Sequence, residues 1–315
     1  MHNAILNFAK QLKGGLESAQ DFKLQKKYGK IIVSGMGGSI IPAEIVLTYE
    51  ELLGQRVKQN ISINRNYGLP KEATREDLAI CISWSGNTEE TISSYNQALK
   101  MGLDTIVIAS GGKLAEESKK NKNPLILIND RDTPPRLAVG YMTASLLKVL
   151  GLEKDLTFDL DPSAQEKNGK KLAEKLAGKT PIIYSSYTWR YLAKFWKILF
   201  NENAKTPAFW NYFPGLAHNE LAGFTTSLKD FYPILLVDKN DNPAQKRNID
   251  AAIAIFNKLE YNYSIVNISQ SGNALEKILN NYVLGLWTSY YLGKNLGVDP
   301  EDTKIIEEFK KLKKK

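Results

Sequence analysis

The run of residues 83–91, SWSGNTEET, carries side chains well suited to bind a phosphate. It follows the apolar run Leu78–Ile82, which predicts a buried strand, and precedes residues 92–101, which predict a helix. Hydroxyl groups, free backbone N–H groups and the positive end of a helix dipole would then meet at one turn. The run therefore predicts an anion site. A simpler alternative is an ordinary helix end capped by Ser85 or Asn87.

A second turn of the same kind, SGMGGS at residues 34–39, follows the apolar run Ile31–Val33. It lacks the third glycine of the dinucleotide-binding fingerprint, because Ile40 stands where that glycine would be. In open parallel sheets ligands bind at the carboxyl ends of the strands, where both turns are predicted to lie. The two turns together predict a site for a phosphorylated small molecule. Dinucleotide binding and a glycine turn without a ligand are the alternatives.

Three further residues are candidates for reactive groups. Arg136 follows two prolines and is predicted to open a helix, where its guanidinium could stabilise an oxyanion. Glu202 lies in the aromatic region 187–213 and is a candidate general base. His218 lies in a turn-rich loop, and a histidine there could both donate and accept a proton near neutral pH. The alternatives are a surface arginine, a solvated glutamate and a structural histidine.

The composition excludes several mechanisms. Cys81 is the only cysteine and the chain has two histidines, which leaves no tetrahedral zinc set and no disulfide within the chain. Neither a P-loop nor a nucleophile elbow occurs, so we expect no metal and no cofactor. The net charge of +8 is partly due to the lysine cluster 310–315, which suits a solvated helix end and would attract anionic substrates.

Location and partners follow from the same features. The chain has no RNA-binding motif and no basic stripe with interleaved aromatic residues, so a nucleic-acid partner is not expected. No apolar run approaches the roughly 20 residues of a membrane helix, so we expect no membrane association. Together with the single cysteine, this predicts a cytoplasmic protein.

Strand and helix patterns alternate along the chain, which predicts an α/β fold with parallel sheets. In the first half, strands are predicted at 30–34, 60–63, 78–83, 105–109 and 124–128, and helices at 4–19, 40–53, 88–101, 113–120 and 136–150. In the second half, strands are predicted at 181–186, 231–237 and 264–268, and helices at 244–259, 273–293 and 300–313. Two domains, 1–152 and 153–315, each with a doubly wound parallel sheet and the second with a C-terminal helix, account for this pattern.

The order of the motifs resembles a known family. GMGGS at 35–39 and SWSGNTEET at 83–91 resemble the phosphate-site motifs of sugar isomerase (SIS) domains, whose fold is flavodoxin-like. The bifunctional phosphoglucose/phosphomannose isomerases, compact enzymes of two SIS domains, share the remaining landmarks. These are Pro135-Arg136, NENAK at 201–205, HNE at 218–220 and GVDP at 297–300. The likeness extends from about residue 30 to the end, although 299–303 has DPEDT where many members have DPTPV.

The resemblance implies a role for each matching position. It implies a phosphate-binding role for Gly38, Ser39, Ser83, Ser85 and Thr88.

The same resemblance implies the catalytic roles. Glu202 would move the proton between C1 and C2, and Arg136 would stabilise the enediolate. His218 would assist ring opening from the neighbouring subunit of a homodimer. Lys310 would reach the sugar, and Thr303 would favour acceptance of mannose 6-phosphate.

The implied activity is a metal-independent aldose–ketose isomerisation through a cis-enediol, which interconverts glucose 6-phosphate or mannose 6-phosphate with fructose 6-phosphate. A non-catalytic SIS protein that senses a phosphosugar is the main alternative. Such a protein would keep the hydroxyl-rich turns and would not need Glu202 or His218. An NAD-dependent dehydrogenase is a third reading. An aminotransferase of the same superfamily would need an additional domain.

Overall fold

The computed structural model describes residues 1–24, 26–54, 60–130, 133–226, 230–268 and 272–313. The chain forms two compact units. The N-terminal unit comprises Leu6–Pro162 and Gly272–Ile278. The C-terminal unit comprises Met1–Ile5, Ser163–Ser271 and Leu279–Lys315. The domain limits inferred from the sequence stay a prediction, and the last two lysines of the lysine cluster lie outside the described residues.

The N-terminal unit contains a five-stranded sheet whose strands are all parallel, in the order β2-β1-β3-β4-β5. The strands are β1 (Ile31–Ser34), β2 (Ile61–Asn64), β3 (Leu78–Ser83), β4 (Asp104–Ala109) and β5 (Leu125–Leu127). The helices of the first half of the chain are α1 (His2–Leu6), α2 (Phe8–Ser18), α3 (Ile41–Leu53), α4 (Glu89–Met101), α5 (Gly112–Lys120) and α6 (Val139–Leu150).

Strands β1 and β3 lie side by side near the middle of this sheet and are buried along their whole length. Apolar, largely β-branched runs with no polar alternation are typical of parallel strands covered on both faces. The register pairs Val33 with Ile80 and Ser34 with Cys81. The residues that follow the two strands therefore begin at neighbouring points of one sheet edge.

The C-terminal unit contains a four-stranded parallel sheet in the order β7-β6-β8-β9. Its strands are β6 (Thr180–Ser186), β7 (Phe209–Phe213), β8 (Phe231–Val237) and β9 (Ser264–Asn267). The helices of this half are α7 (Glu166–Leu176), α8 (Arg190–Asn203), α9 (Pro243–Lys258), α10 (Ala274–Asn295) and α11 (Lys304–Leu312). The strand order matches that of β2-β1-β3-β4, so the predicted α/β class with two doubly wound parallel sheets and a C-terminal helix is confirmed.

Several local predictions were wrong. Helix α6 begins at Val139 and not at Arg136, because Leu137 and Ala138 donate their N–H groups to the Pro134 carbonyl and close a turn first. The C-terminal helix begins at Lys304 and not at Pro300. The elements missed by sequence reasoning are α7, α8 and β7.

Candidate functional site

The two hydroxyl-rich turns meet at the carboxyl edge of the N-terminal sheet. The backbone N–H of Trp84 donates to Ser39 Oγ over 3.0 Å, and Ser39 is buried. This bond joins the turn after β1 to the turn after β3 because the two strands are neighbours. The arrangement is the crevice at which ligands bind in doubly wound sheets. We call this place, formed by residues 35–39 and 83–88, the first crevice.

The hydroxyl groups of residues 83–88, the turn after β3, are not used to cap helix α4. Thr88 occupies the N-cap position of α4, and its side chain makes no capping hydrogen bond. Instead Ser83 Oγ donates to Thr88 Oγ1 over 3.1 Å. Ser85 is exposed, and its Oγ accepts from the N–H of Asn87 over 3.3 Å. The capping alternative with Ser85 or Asn87 is therefore not what forms here, and the hydroxyls stand beside the start of the helix.

Two glycines allow close backbone approaches around the first crevice. Gly86 has φ of +67°, and a Cβ there would lie 1.8 Å from the Gly111 carbonyl oxygen. A Cβ on Gly38 would lie 2.8 Å from the Pro135 carbonyl oxygen and 3.0 Å from the Arg136 nitrogen. The backbone of Arg136 is therefore packed directly against the glycine turn.

Arg136 is almost completely buried, with 2% of its surface exposed. The turn before it is held by Trp84, whose indole Nε1 donates to the Thr133 carbonyl over 2.7 Å. The Trp84 ring stacks on Tyr141 with ring centroids 5.8 Å apart. A buried guanidinium brings a fixed positive charge to its surroundings, where electrostatic interactions are stronger than in water. The structure thus brings together all six residues predicted for the N-terminal half: Gly38, Ser39, Ser83, Ser85, Thr88 and Arg136.

Glu202 lies in the last turn of α8 and is half-buried. The Nζ atom of Lys205 donates to the carbonyl oxygens of Glu202 and Asp302, each over 2.5 Å. Asp302 immediately precedes Thr303, the N-cap residue of α11. Helix α11 also carries Lys310, which is exposed. The structure therefore places Glu202 beside the start of α11, which has Thr303 at its N-cap and Lys310 within it.

His218 is exposed and ends a short 3₁₀ helix, Gly215–His218, that follows β7. Two residues further on, Glu220 Oε1 accepts from the Tyr184 hydroxyl over 2.6 Å, and its Oε2 accepts from Asn211 Nδ2. Burial, and next the bond to Glu220, raises the pKa of Tyr184. The hydroxyl therefore remains a donor at neutral pH and holds the loop that presents His218.

Glu202 and His218 lie at opposite ends of the C-terminal sheet. Helix α8 starts just after the carboxyl end of β6 and runs back beside it for 14 residues, about 20 Å at 1.5 Å per residue. Strand β7, parallel to β6, then returns to the carboxyl edge, where the His218 loop begins. Glu202 is therefore at the amino edge of the sheet and His218 at the carboxyl edge, so the two do not converge within one copy of this unit.

Sequence reasoning missed the residues at the carboxyl edge of the C-terminal sheet. Here Ser186 Oγ donates to Asp241 Oδ1 over 2.7 Å, and Trp189 Nε1 donates to Asp238 Oδ2 over 3.1 Å. Both carboxylates are buried. We call this place, formed by residues 185–189 and 238–241, the second crevice. The signal for it in the sequence was the pair Asp238 and Asp241, which follows the predicted strand 231–237.

The described residues contain neither a cluster of metal ligands nor a helix that could cross a membrane. Among these residues no three histidine, cysteine, aspartate or glutamate side chains are grouped so as to hold a metal ion. None of the described helices is both long and apolar enough to cross a bilayer.

Comparison with known proteins places this geometry in a family. A model of the bacterial phospho-glucose isomerase C-terminal SIS domain matches residues 165–312. The bifunctional phosphoglucose/phosphomannose isomerase of Aquifex aeolicus is 31% identical over 299 residues, which cover 91% of this chain and 91% of the relative. The enzyme of the same name from Caldicellulosiruptor bescii is 31% identical in an alignment that covers 98% of this chain and 98% of the relative.

A solved structure shows the same fold. A hypothetical protein from Thermus thermophilus superposes with a TM-score of 0.77 over 99% of this chain and 90% of its own, at 13% identity. The family assignment rests on the sequence relatives, because their similarity extends over nearly the whole chain. The chain belongs to the bifunctional phosphoglucose/phosphomannose isomerase family.

Proposed function

We propose that the protein is an isomerase that interconverts glucose 6-phosphate, and also mannose 6-phosphate, with fructose 6-phosphate. The observation that carries this proposal is the convergence of the hydroxyl-rich turns and a buried arginine at one sheet edge, in a chain of this family. The first crevice offers hydroxyl and N–H donors and the positive end of α4 to a phosphate.

The phosphate would bind to the first crevice through Ser39, Ser83, Ser85 and Thr88. Gly38 would allow the backbone to approach it closely. Because the phosphate is remote from C1 and C2, its binding energy serves to position the reacting carbons. On this proposal the phosphate determines which class of substrate binds, and other groups carry out the reaction.

The isomerisation needs one base that acts on two adjacent carbons. Glu202 would remove the C2 proton of the open-chain aldose, which leaves an enediolate with negative charge on O1. The same carboxylic acid would return the proton to C1 while the O2 hydroxyl proton passes to O1, so that O2 becomes the carbonyl oxygen of the ketose. Arg136 would stabilise the enediolate charge with a fixed guanidinium. A general base of this kind contributes about 10²–10⁴-fold to the rate.

Ring opening would use His218 of a second subunit. The support for this is the position of His218 at the opposite sheet edge from Glu202 in its own chain. An imidazole near neutrality can donate to the ring oxygen and accept from the O1 hydroxyl. On this proposal the functional enzyme is a homodimer. Thr303 and Lys310, on the segment beside Glu202, would contact the sugar and contribute to acceptance of the mannose epimer.

We also infer a cytoplasmic location. The only cysteine, Cys81, is a buried free thiol, and burial raises its pKa to about 12. Such a thiol is unreactive and suits a reducing compartment.

Coupled assays that detect fructose 6-phosphate, started separately from each aldose and run in EDTA, test the proposal. We expect turnover of both aldoses at similar enzyme concentration. Binding of the sugar phosphates without any turnover would identify the alternative, a non-catalytic phosphosugar sensor. A tryptophan-fluorescence response to NADH would point to the dehydrogenase reading instead.

A further inference from the structure

Lys205 has an unusual backbone and an unusual set of contacts. It follows the end of α8, three residues after Glu202, and has φ of +52°. Residues other than glycine seldom adopt this left-handed conformation, and where they do the surrounding structure holds them there. The side chain of Lys205 is exposed, so burial of its stem is not what holds it.

The ammonium group of Lys205 joins the end of α8 to the segment before α11, and its partner Asp302 is 97 residues away in sequence. Its Nζ atom lies 2.5 Å from the Glu202 carbonyl oxygen and 2.5 Å from the Asp302 carbonyl oxygen. The first carbonyl lies at the negative end of the α8 dipole, where a cation is favoured. Hydrogen bonds from an ionised donor are stronger than those between neutral groups.

The positive charge of Lys205 also acts on the side-chain carboxyl group of Asp302. The pKa of Asp302 is held below its ordinary value, mainly because the backbone N–H of Lys304 donates to its carboxylate. The positive charges of Lys304 and then Lys205 act in the same direction. The start of α11 therefore has a carbonyl oxygen bonded to the Lys205 ammonium group and a carboxylate that the same positive charge helps to keep ionised.

The same junction is closely packed from a third side. A Cβ on Gly293 in α10 would lie 2.7 Å from the Asn203 carbonyl oxygen and 3.3 Å from Pro300 Cγ. The end of α8 and the segment that leads into α11 thus meet at a glycine of α10. Lys205 closes this junction with a polar contact.

We propose that Lys205 is a positioning residue that fixes the backbone of Glu202 to the start of α11. It would thereby hold the base in register with Thr303, the N-cap residue of α11, and with Lys310 in that helix. The inference rests on the proposed function for its catalytic consequence, and its structural part is independent of that function. Lys205 itself touches carbonyl groups and is not assigned a contact with substrate.

Three substitutions distinguish the effect of the Lys205 amino group from the effect of its left-handed backbone conformation. Lys205→Met keeps the length of the side chain and removes the donors. Lys205→Arg keeps a charged donor. Lys205→Gly removes the side chain and relieves the left-handed backbone. Lys122, an exposed lysine with φ of +57° in the N-terminal unit, provides Lys122→Met as a matched control.

Steady-state kinetics with both aldoses give the first readout. We expect kcat of Lys205→Met and Lys205→Gly to fall by about 10²-fold, because a displacement of about 1 Å in a catalytic group can cost that much. KM should change less than about threefold, since the phosphate-binding turns are untouched. Lys205→Arg should recover most of kcat, and Lys122→Met should equal wild type. An unchanged kcat in Lys205→Met, or a loss expressed only in KM, would overturn the proposal.

Hydrogen exchange on the full-length protein gives the second readout. We expect amides of residues 304–312 to exchange at least about tenfold faster in Lys205→Met than in wild type, because local opening requires fewer interactions to break. Exchange in α4 should not change in the same variant, and Lys122→Met should leave residues 304–312 unaffected. Unchanged exchange at 304–312 would overturn the positioning role. This result does not depend on turnover, so it distinguishes failure of the inference from failure of the proposed isomerase activity.

Discussion

The two crevices occupy the same place in two sheets of the same strand order and have opposite chemistry. The first crevice, between β1 and β3, contains hydroxyls and glycines, and Ser39 accepts from the backbone of the opposite turn. The second crevice, between β6 and β8, contains the buried carboxylates Asp238 and Asp241. An anion would meet donors at the first crevice and like charges at the second. The fold determines where a ligand can bind, and the side chains determine which ligand.

The two units also differ in how their candidate residues are arranged. All six predicted residues of the N-terminal unit lie at one sheet edge. In the C-terminal unit, Glu202 lies at the amino edge and His218 at the carboxyl edge. The N-terminal unit thus gathers its candidate phosphate-binding groups in one place, while the C-terminal unit presents its candidate groups in two directions. The proposed homodimer would bring Glu202 of one copy and His218 of the other to one substrate.

Mixing inactive variants gives the largest expected effect. Glu202→Gln and His218→Ala should each retain less than about 1% of wild-type activity, given the usual contribution of acid–base groups. When the two are co-expressed, we expect about a quarter of wild-type activity, because half of the dimers are hybrids and each hybrid has one intact set of groups.

The control for this mixture is Glu202→Gln with the double variant Glu202→Gln/His218→Ala, which should stay inactive. Activity of the first mixture no greater than the sum of its parents would show that His218 does not act from a second subunit.

The next largest effect is expected when a carboxylate is introduced into the first crevice, and the same change in the second crevice is the control. Ser85→Asp should raise KM for both aldoses by about 100-fold or more, because a like charge beside the phosphate costs several kcal/mol. Thr188→Asp places the same charge at the turn after β6 and should leave KM within about twofold, since no phosphate is expected to bind there. Steady-state kinetics measure both. Equal increases in KM for the two variants would contradict the assignment of the phosphate to the first crevice.

The smallest effect concerns stability and the buried Asp241. Burial raises the pKa of this carboxyl, and the bond from Ser186 only partly offsets that. The folded state therefore binds the proton more tightly than the unfolded state, so stability falls as pH rises from about 4 through the folded pKa.

Asp241→Asn should accordingly raise the free energy of unfolding at pH 7 by up to about 1 kcal/mol, and the gain should shrink below about pH 4. Denaturant titrations at the two pH values measure this. A variant less stable than wild type at pH 7 would mean that the ionised carboxylate is stabilised by its surroundings.

The first half of the fold could be predicted because its strands are short apolar runs between turn residues. The predicted strand 78–83 coincides with β3. The candidate site could be assigned to the turns after β1 and β3 because ligands bind at the carboxyl ends of parallel strands. The region 187–213 was harder. Its aromatic residues suit both helix α8 and strand β7, so periodicity alone did not separate them.

Parts of the site could not be predicted because they depend on tertiary neighbours. Lys205 and Asp302 are far apart in sequence, and the bond between them appears only when α11 lies beside the end of α8. Arg136 was found as a candidate, but its turn was mistaken for a helix start because proline suits both positions. The hydrogen bond between Ser186 and Asp241 could not be predicted, because it depends on β6 and β8 being neighbours in the sheet.

The most direct test of the central claim compares turnover with binding in Glu202→Gln. We predict that kcat for conversion of glucose 6-phosphate falls by about 10²–10⁴-fold, the usual contribution of a general base. Calorimetric titration with fructose 6-phosphate should give a Kd within about threefold of wild type, because the first crevice is unchanged. Activity within about tenfold of wild type would contradict the assignment of Glu202 as the residue that moves the proton.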